Sequence, residues 1–302
     1  MEHFPVNDLS HLLPEVQELT RLPASERIQR IRVDRWIGYP RAVEALNRLE
    51  TLFNWPNKQR MPNLLIVGPT NNGKSMVVEK FRRNHPIGSS EDQEHMPVLA
   101  VQMPSEPSVI RFYTALLMAI GAPLCPRRPL PEMEQQALSL LRQVGVRVLI
   151  IDELHNVLAG NNAHRREFLN LLRFLGNELR IPLVGVGTRE AYFAIRSDDQ
   201  LENRFEPVML PLWEADDVCC SLLASFATAL PLRQPSPIAT PDMARYLLAR
   251  SEGTIGELAH LLMAAAVAAV ESGEEAINTR TLTLAQCMGP SERRREFERE
   301  LM

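Results

Sequence analysis

The sequence predicts an α/β fold in which a parallel sheet is sandwiched by helices and followed by a small all-helical domain. Three observations predict it. Between residues 60 and 212, short apolar runs rich in β-branched residues alternate with segments of helical periodicity. A glycine-containing loop joins the first such run to the first helix of this region. After Trp213 the strand patterns stop, and only helical patterns follow.

Composition agrees with a globular protein. The 302 residues are 45% apolar and 23% charged, and their formal net charge is -4. The longest apolar run, Leu261 to Val270, is too short to cross a bilayer, and no basic leader precedes an apolar segment at the N-terminus. We therefore expect no membrane segment and a cytoplasmic protein. The four cysteines suggest neither a disulfide framework nor a CxxC metal site, so reduced thiols are expected.

Four regions are expected along the chain. Residues 1–59 form an N-terminal helical extension that several prolines interrupt, and residues 60–212 form the α/β core. Residues 213–289 form a helical lid. Residues 290–302 form a charged tail, which is either a solvated helix or disordered.

Local patterns place the individual elements. The predicted strands cover residues 63–67, 98–102, 146–151 and 183–186, and residues 208–210 offer a further one. The predicted helices from residue 41 onward cover residues 41–53, 74–83, 109–120, 133–144, 166–178, 215–229, 241–251, 256–271 and 279–287.

The strongest motif lies between the first strand and the first core helix. Residues 68–75 fit the pattern GxxxxGK[ST], in which glycines let consecutive backbone N–H groups turn towards phosphate oxygens. Lys74 would reach the β- and γ-phosphates of ATP, and Ser75 would ligate Mg²⁺. The alternative is an ordinary turn with a solvent-facing lysine. The predicted nucleotide-binding residues are Gly68, Pro69, Thr70, Asn71, Asn72, Gly73, Lys74, Ser75 and Met76.

Two carboxylates follow the apolar strand that ends at Ile151. Because the carboxyl ends of parallel strands meet at one edge of a sheet, Asp152 and Glu153 are expected beside the phosphate-binding loop. Asp152 would hold Mg²⁺ through a water molecule, and Glu153 would polarise the water that attacks ATP. Alternatively, the two acids only begin a helix, where their charge favours the N-terminal dipole. Together with Lys74, they predict an ATPase.

The string DELH at residues 152–155 would suit a DExH helicase, but such enzymes need two tandem motor domains and this chain has room for one. A single core followed by a helical lid instead resembles the AAA+ class of P-loop NTPases, whose members work as rings or filaments with ATP between neighbouring subunits. This resemblance implies a polar sensor of the γ-phosphate, for which Thr188 is the candidate. The alternative role of Thr188 is a turn or a helix cap.

The same resemblance implies an arginine that reaches the nucleotide of a neighbouring subunit. Arg204, just before the last strand, is the candidate, because a planar and permanently charged guanidinium suits developing phosphate charge. Arg189 and Arg196 compete for this role, and a surface salt bridge is the alternative for Arg204. Where many AAA+ lids carry a second sensor arginine, this chain has Glu257, which leaves open whether the lid contacts the γ-phosphate.

Several motifs together resemble the TniB transposition proteins, relatives of the TnsC regulators within the AAA+ class. These motifs span about residues 36 to 262. They are WIGYPR (36–41), RMPN (60–63), GPTNNGKS (68–75), LIIDELHNVLAG (149–160), IPLVGVGTREA (181–191), QLENRFEPVMLPLW (200–213) and GTIGEL (253–258).

The TniB resemblance implies an ATP-dependent accessory to a DDE transposase in a prokaryotic cytoplasm. Such a protein would self-associate as a ring or filament on double-stranded target DNA, without reading its sequence, and recruit or activate the transposase there. The chain itself shows no RNase-H-like acid triad. Two alternatives stay open: a remodelling or loader ATPase that acts on proteins without DNA, and a nucleotide-gated binding module that scarcely hydrolyses ATP.

Candidate DNA contacts are two basic pairs in predicted loops. Arg127 and Arg128 lie in a proline-rich loop, and Arg165 and Arg166 follow the loop after the two acids. Loops on one rim of a ring would contact phosphates without reading sequence. The default interpretation of each pair is a solvated helix face.

Overall fold

The structure, a computed structural model, describes residues 8–90, 93–123 and 128–301. Within these residues the chain forms two compact units. Residues 41–211 form an α/β unit, while the described residues up to 40 join residues 212–301 in a helical unit. The sequence alone did not indicate that the N-terminal residues group with the C-terminal helices.

The described elements are taken here in chain order. The strands are β1 (Asn63–Val67), β2 (Gly88–Ser90), β3 (Gln93–His95), β4 (Val98–Gln102), β5 (Val148–Asp152), β6 (Leu183–Gly187) and β7 (Phe205–Met209). The helices are α1 (Pro14–Gln17), α2 (Ala24–Ile31), α3 (Pro40–Phe53), α4 (Lys74–Asn84), α5 (Val109–Ala119), α6 (Leu130–Gln143), α7 (Asn162–Leu179), α8 (Arg189–Arg196), α9 (Asp199–Glu202), α10 (Asp217–Ala229), α11 (Pro241–Ser251), α12 (Ile255–Ser272), α13 (Thr279–Leu284) and α14 (Pro290–Glu300). Short 3₁₀ helices cover Glu18–Arg21 and Leu154–Ala159.

A five-stranded parallel sheet forms the centre of the α/β unit. Its order is β4-β5-β6-β1-β7, and every residue of β1 and β6 is buried. Because all five strands run in one direction, their carboxyl ends share one edge of the sheet and their amino ends the other. This architecture confirms the predicted α/β fold with helices packed on a parallel sheet.

The α/β unit differs from the sequence-based prediction at β7 and at the hairpin of β2 and β3, and it contains the short helices α8 and α9, for which no helix was predicted. β7 begins at Phe205, whereas the apolar pattern indicated residues 208–210. Glu206 and Pro207 are exposed and interrupt that pattern, as the edge position of β7 allows. The antiparallel hairpin of β2 and β3 was not predicted either, because the sequences GSS and QEH carry no apolar alternation.

Asn63 holds the amino edge of the sheet together. This residue is 4% exposed, and its Oδ1 accepts a hydrogen bond of 2.9 Å from the backbone N–H of Leu183. Its own backbone N–H donates to the carbonyl oxygen of Arg204 at 2.9 Å. One residue thus connects the starts of β1, β6 and β7.

The helical unit is built around α12. This helix packs against α2, α11 and α13, and its leucines and alanines supply most of its buried residues. Among the described residues, α12 is the one helix long and apolar enough to cross a membrane by length and composition. Its packing is that of a core helix in a globular domain. The charged tail forms the helix α14, none of whose residues is buried.

A buried ion pair joins α2 to the loop after α12. Arg27 is 2% exposed, and its Nη1 donates to Oε2 of Glu275 at 2.7 Å while its Nη2 donates to Oε1. Nη1 also donates to the carbonyl oxygen of Pro231 at 3.2 Å. Two parallel bonds to one carboxylate fix the geometry of the pair.

We predict that Arg27→Ala lowers the free energy of unfolding by about 3–5 kcal/mol, because Glu275 would keep a buried charge whose remaining contacts are the Arg233 backbone N–H at 3.2 Å and the Arg233 guanidinium at 4.0 Å. The double variant Arg27→Met/Glu275→Leu should lose much less, since it leaves neither charge unpaired. Urea denaturation followed by circular dichroism measures both. Equal losses in the two variants would contradict this role of the ion pair.

Candidate nucleotide-binding site

The predicted phosphate-binding loop lies at the carboxyl edge of the sheet, between β1 and α4. Gly73 has φ 83° and Asn71 has φ 57°, so both residues adopt the left-handed conformation. Turns of this kind create concave arrays of backbone N–H groups that suit anions. Thr70 and Ser75 are exposed in the loop, and Met76 is half-buried in the first turn of α4.

The loop is fastened to the chain that follows β7. A Cβ atom added at Gly68 would lie 2.6 Å from the carbonyl oxygen of Leu210, so only glycine permits this approach. The side-chain amide of Asn72, which is 1% exposed, donates to the carbonyl oxygens of Leu210 at 2.8 Å and Pro211 at 2.7 Å. Asn72 therefore anchors the loop. The motif gives no signal for this role, because its middle positions accept any residue.

Lys74 is buried within the loop. Its Nζ donates to the carbonyl oxygens of Gly68 at 2.9 Å and Pro69 at 2.6 Å. Desolvation by burial lowers the pKa of Lys74, while the negative charges of Asp152 and Glu153 act in the opposite direction. The ammonium group thus lies within electrostatic reach of both predicted acids, although about 80 residues separate them in sequence.

The two predicted magnesium ligands lie side by side. The Ser75 hydroxyl donates to Oδ2 of Asp152 across 3.4 Å. Hydroxyl and carboxylate oxygens are the donors that Mg²⁺ prefers, so this pair would suit an ion that Ser75 ligates and Asp152 holds through a water molecule. The described residues contain no cluster of three or more His, Cys, Asp or Glu that could hold a metal alone. Mg²⁺ commonly binds through few protein ligands together with substrate phosphates.

Glu153 has an unusual backbone conformation for a non-glycine residue. Its φ of 55° and ψ of 34° are left-handed, and a 3₁₀ helix follows it directly. Its Oε2 lies 3.2 Å from Nε2 of His155, and Nδ1 of His155 is buried with no hydrogen-bond partner in the described residues. The DELH pattern gives no signal for a contact between His155 and Glu153. Strained residues of this kind concentrate at functional sites.

Thr188 follows β6, the strand beside β5, and so belongs to the same edge of the sheet as Asp152. It precedes α8, but its side chain makes no capping bond to that helix. Its hydroxyl donates instead to the carboxylate of Glu190, which lowers the pKa of that carboxylate.

Arg204 lies at the opposite edge of the sheet. It directly precedes β7, and its Nη1 donates to Oδ1 of Asn177 at 2.9 Å. Arg189 and Arg196, the two other candidates for the arginine that reaches a neighbouring nucleotide, make different contacts. Arg196 forms an ion pair of 2.7 Å with Glu202, and the Arg189 guanidinium lies 5.1 Å from the ring centroid of Phe193.

The candidate DNA contacts lie partly outside the described residues. Arg127 is one of the residues that the structure does not describe. The Arg128 side chain donates to Gln136 on α6. Arg165, which is half-buried, and Arg166, which is exposed, lie in the first turns of α7.

Glu257 has a partner within the helical unit. One of its carboxylate oxygens accepts a hydrogen bond of 2.8 Å from Nη2 of Arg293 on α14. Glu257 on α12 therefore contributes to holding α14 against α12.

The family model described as "Bacterial TniB protein" matches residues 27–215, which is more than half of the chain. The chain belongs to the TniB family. The resemblance that the sequence motifs carry is therefore confirmed. A comparison with curated proteins found no match.

Several solved structures have a similar fold. The Aeropyrum pernix ORC1 protein in complex with DNA gives a TM-score of 0.55 at 17% identity, covering 82% of this chain and 63% of that one. The A. pernix ORC2 protein (ADPNP-ADP complexes) gives 0.57 at 16% identity, covering 85% and 70%. Cdc6p from Pyrobaculum aerophilum gives 0.53 at 13% identity, covering 82% and 67%. These likenesses show the AAA+ P-loop fold for this member of the TniB family.

The fit of the loop against Leu210 yields a prediction. Gly68→Ala should raise the Kd for a fluorescent ATP analogue by about tenfold or more, because the new methyl group displaces the loop from its anchor. Gly88→Ala is the matched control, since an added Cβ there meets nothing within 4 Å. A fluorescence titration measures both constants. Equal affinities in the two variants would show that the loop does not need this close approach.

Proposed function

We propose that this protein is an ATP-dependent DNA transposition accessory: it binds and hydrolyses ATP, assembles on double-stranded target DNA, and recruits or activates a DDE transposase. One observation carries the ATPase part. Lys74, Ser75, Asp152 and Glu153 come from two distant segments of sequence and meet at one edge of the sheet. The TniB family supports the transposition part.

ATP would bind with its phosphates on the loop from Gly68 to Ser75. Backbone N–H groups and the N-terminus of α4 favour negative charge there, and Lys74 adds a full positive charge. Ser75 and Asp152 would hold Mg²⁺, which when bound neutralises phosphate charge and orients the leaving group.

Glu153 would orient and polarise the attacking water. Its carboxylate directly follows the proposed metal-binding Asp152 in sequence, and the following 3₁₀ helix fixes its backbone. Glu153 also contacts His155. Its carboxylate would leave this contact before it acts on the attacking water. Thr188, at the neighbouring strand end, is the proposed sensor of the γ-phosphate.

The proposal of DNA binding is supported by the family and by proteins of similar fold more than by the local charge of this chain. The A. pernix ORC1 protein, whose fold is similar, has its structure in complex with DNA. The net charge of -4 requires that any contact with DNA phosphates be local. Arg128, Arg165 and Arg166 are the described candidates for such contacts.

The decisive experiment measures ATP turnover with and without duplex DNA, alongside sizing in a non-hydrolysable ATP analogue. We expect DNA to raise turnover and the analogue to drive assembly. Glu153→Gln is the matched control: it should still bind ATP and assemble, but lose at least about 100-fold in turnover.

Turnover that Glu153→Gln leaves unchanged would reject the catalytic assignment. If DNA changes neither ATP turnover nor assembly, the results would instead favour a remodelling or loader ATPase that acts on proteins. ATP binding and assembly without measurable turnover in the wild type would favour a nucleotide-gated binding module.

Arg204 is proposed to act on the nucleotide of a neighbouring copy, because it lies at the edge of the sheet away from its own phosphate-binding loop. Arg204→Ala should lower turnover by about 1,000-fold and leave the Kd for ATP unchanged. Arg196→Ala, which removes a surface ion pair, should change turnover far less. Steady-state kinetics and nucleotide titration compare the two. A larger loss at Arg196 would transfer the role to that residue.

A further inference from the structure

A groove of about 490 Å³ lies within the helical unit, beside the C-terminal half of α10. Its volume falls in the range of about 300–1,000 Å³ that is typical of ligand sites. The other walls come from the region of α1 and from the segment between α2 and α3. The backbone N–H of Leu13 donates to the carbonyl oxygen of Thr228 at 3.1 Å, which fixes the α1 region against α10. The groove therefore belongs to one compact unit.

The groove combines apolar walls with a single positive charge. Leu13, Val16, Trp36 and Ile37 supply apolar surface to its lining. Within the described part of the chain, Arg35 is the one cationic residue among the lining residues. A ligand in this groove would bury an apolar group beside a guanidinium.

The guanidinium of Arg35 has a hydrogen-bond donor to offer. Its Nη1 is buried and has no acceptor in the described residues. Desolvation by burial lowers the pKa of Arg35, and the charge of Glu15, which also lines the groove, offsets this effect only in part. A buried donor without an acceptor is costly, and an oxygen of a ligand would remove that cost.

The segment between α2 and α3 offers main-chain groups as well. Residues 33–38 belong to no helix or strand, and their backbone N–H and C=O groups form no hydrogen bond to other described residues. Main-chain bonds supply affinity in many peptide-binding sites, while adjacent pockets select the side chains. Unpaired backbone beside an apolar groove thus favours a peptide as the ligand.

We propose that this groove binds a short peptide segment of a partner protein, in which an aspartate or glutamate neighbours an apolar residue. The acidic side chain accepts hydrogen bonds from Arg35, the apolar side chain packs on the walls, and residues 33–38 pair with the peptide backbone. This inference goes beyond the proposed ATPase function, because the groove lies in the unit that does not contain the phosphate-binding loop.

Charge complementarity favours a carboxylate over phosphates as the anion. One carboxylate matches one guanidinium in charge and in the geometry of its two oxygens. Duplex DNA and nucleotides carry several negative charges, whereas the groove offers one cation with Glu15 beside it. Binding of DNA without readout of its sequence needs several cations along the backbone.

A phage-displayed library of random dodecapeptides, selected on the immobilised full-length protein, supplies the probe. We expect the selected peptides to share an acidic residue next to an apolar one. One such peptide, synthesised with a fluorescent label, is then titrated with the protein by fluorescence anisotropy. Arg35→Met should raise its Kd by about tenfold or more, because methionine fills similar space without the charged donors.

Two further variants accompany Arg35→Met. Arg32→Met is the matched control, since Arg32 is exposed at the end of α2, does not line the groove and carries the same charge; it should keep the wild-type Kd. Ser225→Phe should also weaken binding, because its ring would occupy the groove. The Ser225 hydroxyl donates only to the Ser221 carbonyl of the same helix, so this variant should fold, as thermal melting by circular dichroism verifies.

A double-mutant cycle then tests the contact itself. Changing the acidic residue of the peptide to its amide should raise the Kd about tenfold for the wild type and much less for Arg35→Met, since the partner of the carboxylate is already absent there. A purely structural role of Arg35 would weaken both peptides by the same factor.

Weaker binding at Arg35 and Ser225, together with coupling in the cycle, supports the proposal. It is overturned if the library yields no binding peptide, if the selected peptides lack an acid, or if Arg35→Met and Arg32→Met bind equally well. Equal effects of the amide change on wild type and Arg35→Met also overturn it. Displacement of the peptide by duplex DNA or by ATP would assign the groove to phosphates instead. Peptide binding is read without ATP, so a wild type that fails to hydrolyse ATP rejects the proposed function and leaves this inference standing.

Discussion

The contact between the phosphate-binding loop and the segment after β7 is the constraint on which the candidate site depends. Gly68 lets the loop approach the Leu210 carbonyl, Asn72 donates two hydrogen bonds to that segment, and the Leu210 N–H donates to the carbonyl of Val67 at 2.7 Å. Since these groups are buried, each lost bond would leave a polar atom unsatisfied. These contacts hold the loop firmly where it joins the sheet. The anchored loop in turn positions Lys74 and Ser75.

The parallel register supplies the second half of the site. β5 lies two strands from β1, with β6 between them, so their carboxyl ends bring Asp152 and Thr188 to the edge where the loop begins. Glu153 then turns into a left-handed conformation, which costs of order 1–3 kcal/mol and persists only where surrounding packing enforces it. Leu154 and Val157, both fully buried, provide that packing. In this turn, Oε2 of Glu153 lies 3.2 Å from Nε2 of His155.

Sequence reasoning predicted the features that depend on local pattern. Apolar runs indicated the buried strands, and the spacing of the glycines indicated the loop. Both patterns lie within short continuous stretches of sequence, so they can be recognised without the fold. The anchoring role of Asn72, the Glu153–His155 contact and the Arg27–Glu275 pair each depend on residues that are distant in sequence or on a backbone turn that no pattern encodes. β7 shows the same limit, since exposure at an edge strand removed the apolar alternation that would have indicated its start.

The two edges of the sheet suggest how ATP turnover would depend on assembly. One edge gathers the loop, Ser75, Asp152 and Glu153, while Arg204 lies at the other. Lys74 serves the nucleotide of its own chain, but Arg204 at the opposite edge would act only on the nucleotide of a second copy, so hydrolysis that needs Arg204 would require assembly. Anything that aligns copies edge to edge would then raise turnover without touching the nucleotide. A DNA duplex that binds many copies in a row has that effect through effective concentration alone, which explains how a target of no particular sequence would control the ATPase.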